Sequence, residues 1–473
     1  MFWEMKVLLK DQVEELHFQT LELLNTRGIA IHHEPTKKLL IENGAAAGNG
    51  DIIKISKELI EDRLKLAPKS FEIKARNRDK SITIGNGETI LAPTGGPVFV
   101  HDHIRGRRKG KLVDVIDFYK LAQTSSQIQA VCAGILDPND IREEYKHLVL
   151  MKELVQNCDK PLMGMSMGAE VTQDCIDIAR IAVEPGQGDC FIFGVVNTLS
   201  PMAWDERMLE AIWTYAKNNQ PVVVTCCSMA GFTSPTSLWG TILQNNAEII
   251  TGILVTQLIN PGCPVVYGNT STITDMKTMN LCIGAPEYGL LTTAFKQLAD
   301  FYGVPFRGGG GLTDGKEVDM QTGVESTTNL LFTFGNNVDV VLHGVGVMEF
   351  FLTVSYEKWI WDEEISGRIR RILQGVDMVQ RNDAISLAGD VAAGGHYLEH
   401  PDTFARFRKE FYAPLVSDRN NWSTWHERNK NSVENAWERV QQRLKEFEKP
   451  GLEVGVLNTL FKHLRAKLPE ELL

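Results

Sequence analysis

Eight times along this chain a short apolar run of β-like composition is followed by a helical pattern, and that recurrence restricts the fold more than any other feature. The runs are residues 98–101, 131–136, 162–167, 191–196, 222–226, 265–267, 304–307 and 338–343. Helical stretches at 145–157, 175–183, 205–217 and 238–258 are long enough to carry right-handed crossovers between parallel neighbours. Eight is the number of strands that closes a TIM (β/α)8 barrel. An open doubly wound sheet shares the alternation and stands as the structural alternative.

Residues 1–92 read as an N-terminal helical and β-hairpin cap. Asp11 with Glu14 opens a helix that Gly28 stops, helices follow at 35–43 and 56–67, and strands at 71–75, 81–84 and 88–92 come next. Gly85-Asn86-Gly87 is a turn signal that joins the last two strands. Residues 93–355 form the barrel. Residues 356–473 are a helical extension, and Trp359, Trp361, Trp422, Trp425 and Trp437 pack it on the barrel or at an interface between copies, so a homo-oligomer is expected.

With 49 basic and 60 acidic residues the formal charge is −11, which argues against a nucleic-acid binder. The opening MFWEMKVLLK has no signal-peptide pattern, and no apolar run reaches the length that spans a bilayer. The eight cysteines are scattered without a C-x-x-C. A reduced, cytoplasmic enzyme with no tightly bound metal is expected.

In a barrel the site lies at the carboxyl ends of the strands. Those ends carry His101, Asp102 and His103; Asp137; Ser166; Asn197; Ser228; Tyr267 and Asn269; Arg307 with Gly308 to Gly311; and His343. Glycines there permit close backbone approach to a ligand. Gly310, Gly315 and Lys316 have P-loop spacing, but Glu317 stands where that loop needs a hydroxyl. His101-x-His103 is the beginning of a metal site, yet the later strands end in Asn197, Ser228 and Asn269 rather than in further ligands. Aromatic faces, neutral amides and one arginine instead suit a zwitterion, the faces for a quaternary ammonium and the arginine for a carboxylate.

The runs NAEIITGILVTQLINPGCPVVYGNTST (246–272), GAPEYGLL (284–291) and RGGGGLTDGKEVDMQTGVES (307–326), together with PTGGPVFVHD (93–102) and VVLHGVG (340–346), resemble the trimethylamine methyltransferase family over nearly the whole chain. The resemblance implies a TIM barrel that moves a methyl group from a methylated amine to the cobalt of a corrinoid (cobalamin) carried by a separate cognate partner protein. Family members acting on trimethylamine carry pyrrolysine, whereas this chain has only the standard twenty residues. It is therefore similar to the pyrrolysine-free branch, whose substrates are quaternary amines: glycine betaine, proline betaine, carnitine or γ-butyrobetaine. A metal-dependent barrel hydrolase and a non-catalytic betaine-binding protein are the alternatives from other classes.

Strand-end position assigns Phe99, Tyr267, Phe351 and Tyr356 to the cation, Asn197 to the substrate, and Arg307 with Gly309 and Gly310 to a carboxylate. His343 would orient substrate by a hydrogen bond and is the catalytic candidate. The basic run Arg105, Arg107, Arg108 and Lys109 follows the first apolar run and is expected to dock the acidic rim of the corrinoid protein.

Overall fold

The computed structural model describes residues 5–376, 378 and 383–473. Eight parallel strands form one sheet: β1 (Ile90–Leu91), β2 (Val131–Cys132), β3 (Leu162–Met163), β4 (Ile192–Asn197), β5 (Val222–Cys226), β6 (Val265–Asn269), β7 (Phe306–Gly309) and β8 (Val340–Leu342). They neighbour one another in chain order, and Val340 of β8 pairs with Ile90 of β1. Between β1 and β2, Gln129 N–H donates to Leu91 O at 2.9 Å, and beyond them Gly96 N–H donates to Gly134 O at 2.8 Å. These bonds close the (β/α)8 barrel.

Seven of the eight apolar runs become barrel strands, but the first does not. Phe99–Asp102 pairs with Gly106–Lys109 and with Thr353–Ser355 in a separate four-stranded sheet, which Val347–Met348 completes. The true first strand is Ile90–Leu91, and it is not the hairpin partner of residues 81–84. Ile82–Ile84 pairs instead with Phe71–Ile73. Gly85 and Gly87, at φ 87° and 90°, turn the chain away from that hairpin and into the barrel, a conformation open to glycine without steric penalty.

The hairpin then closes one end of the barrel. Ile73, Ile82 and Ile84 pack among the inward-facing Phe193, Val223, Val266 and Val340. Ile73 bridges to Cys190, just before β4, so the hairpin sits at the amino ends of the strands. The carboxyl ends are left as the open mouth.

Helix Leu238–Ile259 is buried on nearly every side, because the barrel covers its inner face and helices Lys10–Thr26 and Lys57–Leu64 cover the outer one. After β8, helix Tyr356–Gln374 begins the C-terminal extension. Its Trp359 stacks on Phe118 at 5.2 Å, Glu363 meets Arg443 Nη1 at 2.7 Å, and Arg443 Nη2 donates to Leu121 O, which fastens helix Ser432–Lys445 both to this helix and to the barrel. Trp437 packs edge-on against Tyr356, whereas Trp422 is 71% exposed. Among the described residues no helix is long and apolar enough to cross a membrane.

Candidate active site

A cavity of about 460 Å³ opens at the carboxyl ends of the strands. Its wall joins residues far apart in sequence, from Cys132, Asp137 and Ser166 through Asn197 to Arg307, His343 and Phe351.

Arg307 dominates its chemistry. Side chains alternate across a strand, so Phe306 faces the helices, where it meets Tyr267, and Arg307 faces inward. Thr225, Gly268 and Arg307 stand in one register row across β5, β6 and β7. A Cβ on Gly268 would lie 2.6 Å from Thr225 Cβ, so the missing side chain leaves room between the outer two. Arg307 Nη1 donates to Thr225 Oγ1 and to Thr270 Oγ1, each at 3.2 Å. Its Nε is buried without a partner, and no carboxylate pairs with the guanidinium among the described residues. Burial pushes its pKa down to about 10, opposed in part by Tyr288 and Cys227. A buried charge without a counterion costs several kcal/mol, on the order of its desolvation. A ligand carboxylate would supply the missing partner.

His343 follows β8 directly and lies in the left-handed region, at φ 59°. Gly95 N–H donates to its Nδ1 at 3.4 Å, and Thr94 Oγ1 lies 3.2 Å from the same nitrogen. Nδ1 is thus the acceptor, and the proton sits on Nε2 as a donor. Burial, with the nearby Arg307, holds the imidazole pKa well below its ordinary value, so the ring stays neutral.

Phe351 lies 4.7 Å from the His343 ring, centroid to centroid. Glu349, Phe350 and Phe351 are three consecutive non-glycine residues in the left-handed region, at φ 51°, 57° and 72°. Such backbone persists only where its surroundings over-determine it. Here Arg107 grips Glu349 through two bonds of 2.6 and 3.0 Å, Thr353 Oγ1 donates to the same carboxylate at 2.6 Å, and Lys316 Nζ sits 4.4 Å over the Phe350 ring.

Asn197, Arg307, His343 and Phe351 are thus brought together on one cavity wall. Other expected residues are placed elsewhere. Tyr267 points outward from β6 and donates to Asn246 Oδ1 at 2.9 Å, because the strand's alternation gives the interior to Val266 and Gly268. Tyr356 donates to Asp114 at 3.0 Å and stacks on Phe118 at 4.5 Å, beneath the C-terminal extension. Phe99 lies in the separate sheet with Arg107 only 3.5 Å above its ring, so that face is already taken by a cation.

Gly309 and Gly310 are closely packed by protein groups. Gly309 N–H is consumed by Tyr288 Oη at 2.6 Å. A Cβ on Gly310 would meet Val341 Cγ1 at 2.6 Å and Gly344 Cα at 2.9 Å.

The basic run is largely neutralised within the chain. Arg105 pairs with Asp102 at 2.8 Å, Arg107 with Glu349, and Arg108 with Asp114 at 2.6 and 2.8 Å, which leaves Lys109 as the exception among the described residues. His101 and His103 point to Glu317 and Glu357, at 3.3 and 2.7 Å. Sequence position did not indicate Lys146, Cys132, Thr270 or Met163 as cavity residues. Lys146 lies in the first turn of helix Glu143–Asn157, several residues beyond the end of β2, and inspection of strand ends passes over it.

Residues 1–468 match the profile of the trimethylamine methyltransferase family (MTTB). The chain belongs to this family. It is 36% identical to the glycine betaine methyltransferase of Desulfitobacterium hafniense, over 94% of each chain, and 32% identical to the proline betaine:corrinoid methyltransferase of Eubacterium limosum, over 88% of each. The crystal structure of the Methanosarcina barkeri monomethylamine methyltransferase superposes with a TM-score of 0.53 at 12% identity, covering 94% of this chain and 89% of that one, and so shares the barrel fold. MTTB membership gives the cavity a reaction class to be tested against its residues.

Proposed function

We propose that the protein transfers a methyl group from a quaternary amine bearing a carboxylate, glycine betaine foremost, to Co(I) of a corrinoid held by a separate protein. Proline betaine, carnitine and γ-butyrobetaine carry the same two groups and are the other members of the class. The observation that carries the reading is Arg307, a buried guanidinium in the cavity wall that has no carboxylate partner among the described residues. Trimethylamine has no carboxylate to offer it. Both curated relatives named above are, by their names, betaine methyltransferases, which supports the same choice.

The chemistry asks little of the protein beyond placement. The C–N bond breaks with its electron pair going to nitrogen, the pair for the new carbon–cobalt bond comes from Co(I), and the tertiary amine leaves neutral. No proton moves, so no general acid is required. Arg307 holds the carboxylate, neutral His343 donates from Nε2, and Phe351 walls the site beside it; fixed placement of this kind lowers the barrier by removing orientational freedom. The corrinoid enters as the second substrate through the open mouth. The free cysteines suit a reducing cytoplasm. The extension's exposed Trp422, Phe404 and Ile385 support pairing of copies.

The test is methylation of Co(I) cobalamin, followed by absorbance, with glycine betaine, proline betaine, carnitine, γ-butyrobetaine and trimethylamine. Turnover with a carboxylated quaternary amine is expected. Turnover with trimethylamine alone, or binding of a betaine without transfer to any corrinoid protein, would overturn the reading.

A further inference from the structure

The charged groups around the cavity occupy two separate places. Arg307 is part of β7 itself, at the level of the sheet, whereas Asp137 lies in the loop beyond the end of β2 and so nearer the mouth. In the closed strand order β1 and β8 lie between β2 and β7 on one side, and β3 to β6 on the other, so the two groups face each other across the barrel. Asp137 does not stand alone. Its Oδ1 meets Lys146 Nζ at 2.6 Å, and the same ammonium meets Glu143 Oε2 at 2.7 Å. The Asp137 side chain remains 41% exposed in the cavity wall, and Phe351 is the single phenyl ring in the described lining.

Resting on the methyl-transfer reading, we infer that Asp137 faces the quaternary nitrogen of the substrate and that Lys146 is a positioning residue that tempers its charge. The zwitterion then lies with its carboxylate on Arg307 and its methyl groups toward the mouth. Two carboxylates and one ammonium leave this rim with a net charge of −1, opposite to the +1 of Arg307, so the cavity is itself a dipole complementary to a betaine. Burial lowers the Lys146 pKa, but the bonds to Asp137 and Glu143 outweigh it and raise the value, so the ammonium stays charged.

Why a lysine should stand there follows from the reaction. Nitrogen loses its positive charge as the C–N bond breaks, so a negative field at nitrogen stabilises the bound substrate more than the transition state. Two unneutralised carboxylates would hold the amine tightly and slow the transfer. A rim of −1 orients the cation without trapping it. With one phenyl ring in the lining, the cation relies on this carboxylate rather than on an aromatic cage.

The roles predict opposite effects for two adjacent residues. Asp137→Asn should raise KM for glycine betaine at least fivefold while kcat stays level or rises. Lys146→Met should lower KM and also lower kcat at least threefold, and Lys146→Arg should restore both. Calorimetric titration of glycine betaine into each variant reads the same order without turnover: weaker for Asp137→Asn, tighter for Lys146→Met. Circular dichroism checks that each variant folds. An ion pair of purely structural use would lower kcat in both variants and leave binding alike, and that result, or a reversed binding order, would overturn the inference. If the variants bind in this order but the wild type transfers no methyl group, the methyl-transfer reading falls and the orientation stands.

Discussion

Arg307 reaches Thr225 across an entire strand: Nη1 donates to Oγ1 at 3.2 Å although β6 runs between them, because the residue of β6 in that row is Gly268. One absent side chain therefore lets two neighbours-but-one share a bond. A buried cation is held by two hydroxyls that steer it and do not neutralise it.

Removing the cation should cost binding and spare the fold. A hydrogen bond to a charged group is worth about 1.5–3 kcal/mol, so Arg307→Met should weaken glycine betaine binding roughly tenfold to a hundredfold by calorimetry. Its melting temperature should not fall, because the variant buries no unpaired charge. A large loss of stability with unchanged affinity would make the guanidinium structural.

Gly268→Ala should weaken binding through Arg307 without touching the ligand. The new Cβ would approach Thr225 Oγ1 to 2.8 Å, displacing the hydroxyl that Arg307 uses. Affinity for a betaine should drop, while affinity for a quaternary amine lacking a carboxylate should change little in the same titration.

His343 gives a pH signature by the absence of one. Its folded pKa lies well below the ordinary value through burial and Arg307, so no rising limb near pH 6.5 should appear in kcat between pH 6 and 8. The unfolded chain binds this proton first as pH falls. Its contribution to stability is thus full above about pH 6.5 and is lost as pH falls toward the folded value, by at most about 1.4 kcal/mol per unit. Chemical denaturation across pH 5 to 8 checks the slope. His343→Ala should slow methyl transfer roughly tenfold or more through lost placement.

Two glycine substitutions should part in sign. Gly310→Ala would press on Val341 and on the backbone of Gly344 and should destabilise by about 1–3 kcal/mol, as overpacking does. Gly323→Ala lies in helix Met320–Gly335 with nothing within 4 Å of its Cβ and should stabilise by about 0.5–1 kcal/mol. Urea unfolding reads both.

How far the sequence was legible depended on which rule governed each residue. The barrel could be read because seven of its strands and their crossovers announce themselves by composition and period. β1 falls within the strand expected at 88–92, but the Gly85–Gly87 turn signal ties it to a hairpin, while the longer Phe99–Asp102 imitates a barrel strand. Within the site, Arg307 and His343 follow from strand-end position. Strand-end position puts Tyr267 in the site, but strand parity does not: Val266 inward requires Tyr267 outward. The glycine run invited a ligand, yet the space above Gly310 is filled by the next strand. Tertiary pairings such as Arg107 with Glu349 lie beyond local pattern, since the partners are 242 residues apart.

The isoleucine hairpin at the amino end of the barrel turns the cavity into a vessel with one opening. When the second substrate is a macromolecule, one opening imposes a queue. On the proposed reading, the amine has to be inside before the corrinoid protein covers the mouth, and the demethylated product leaves only after that protein withdraws. The order of arrival and departure would then be set by a plug on the side of the barrel opposite the mouth.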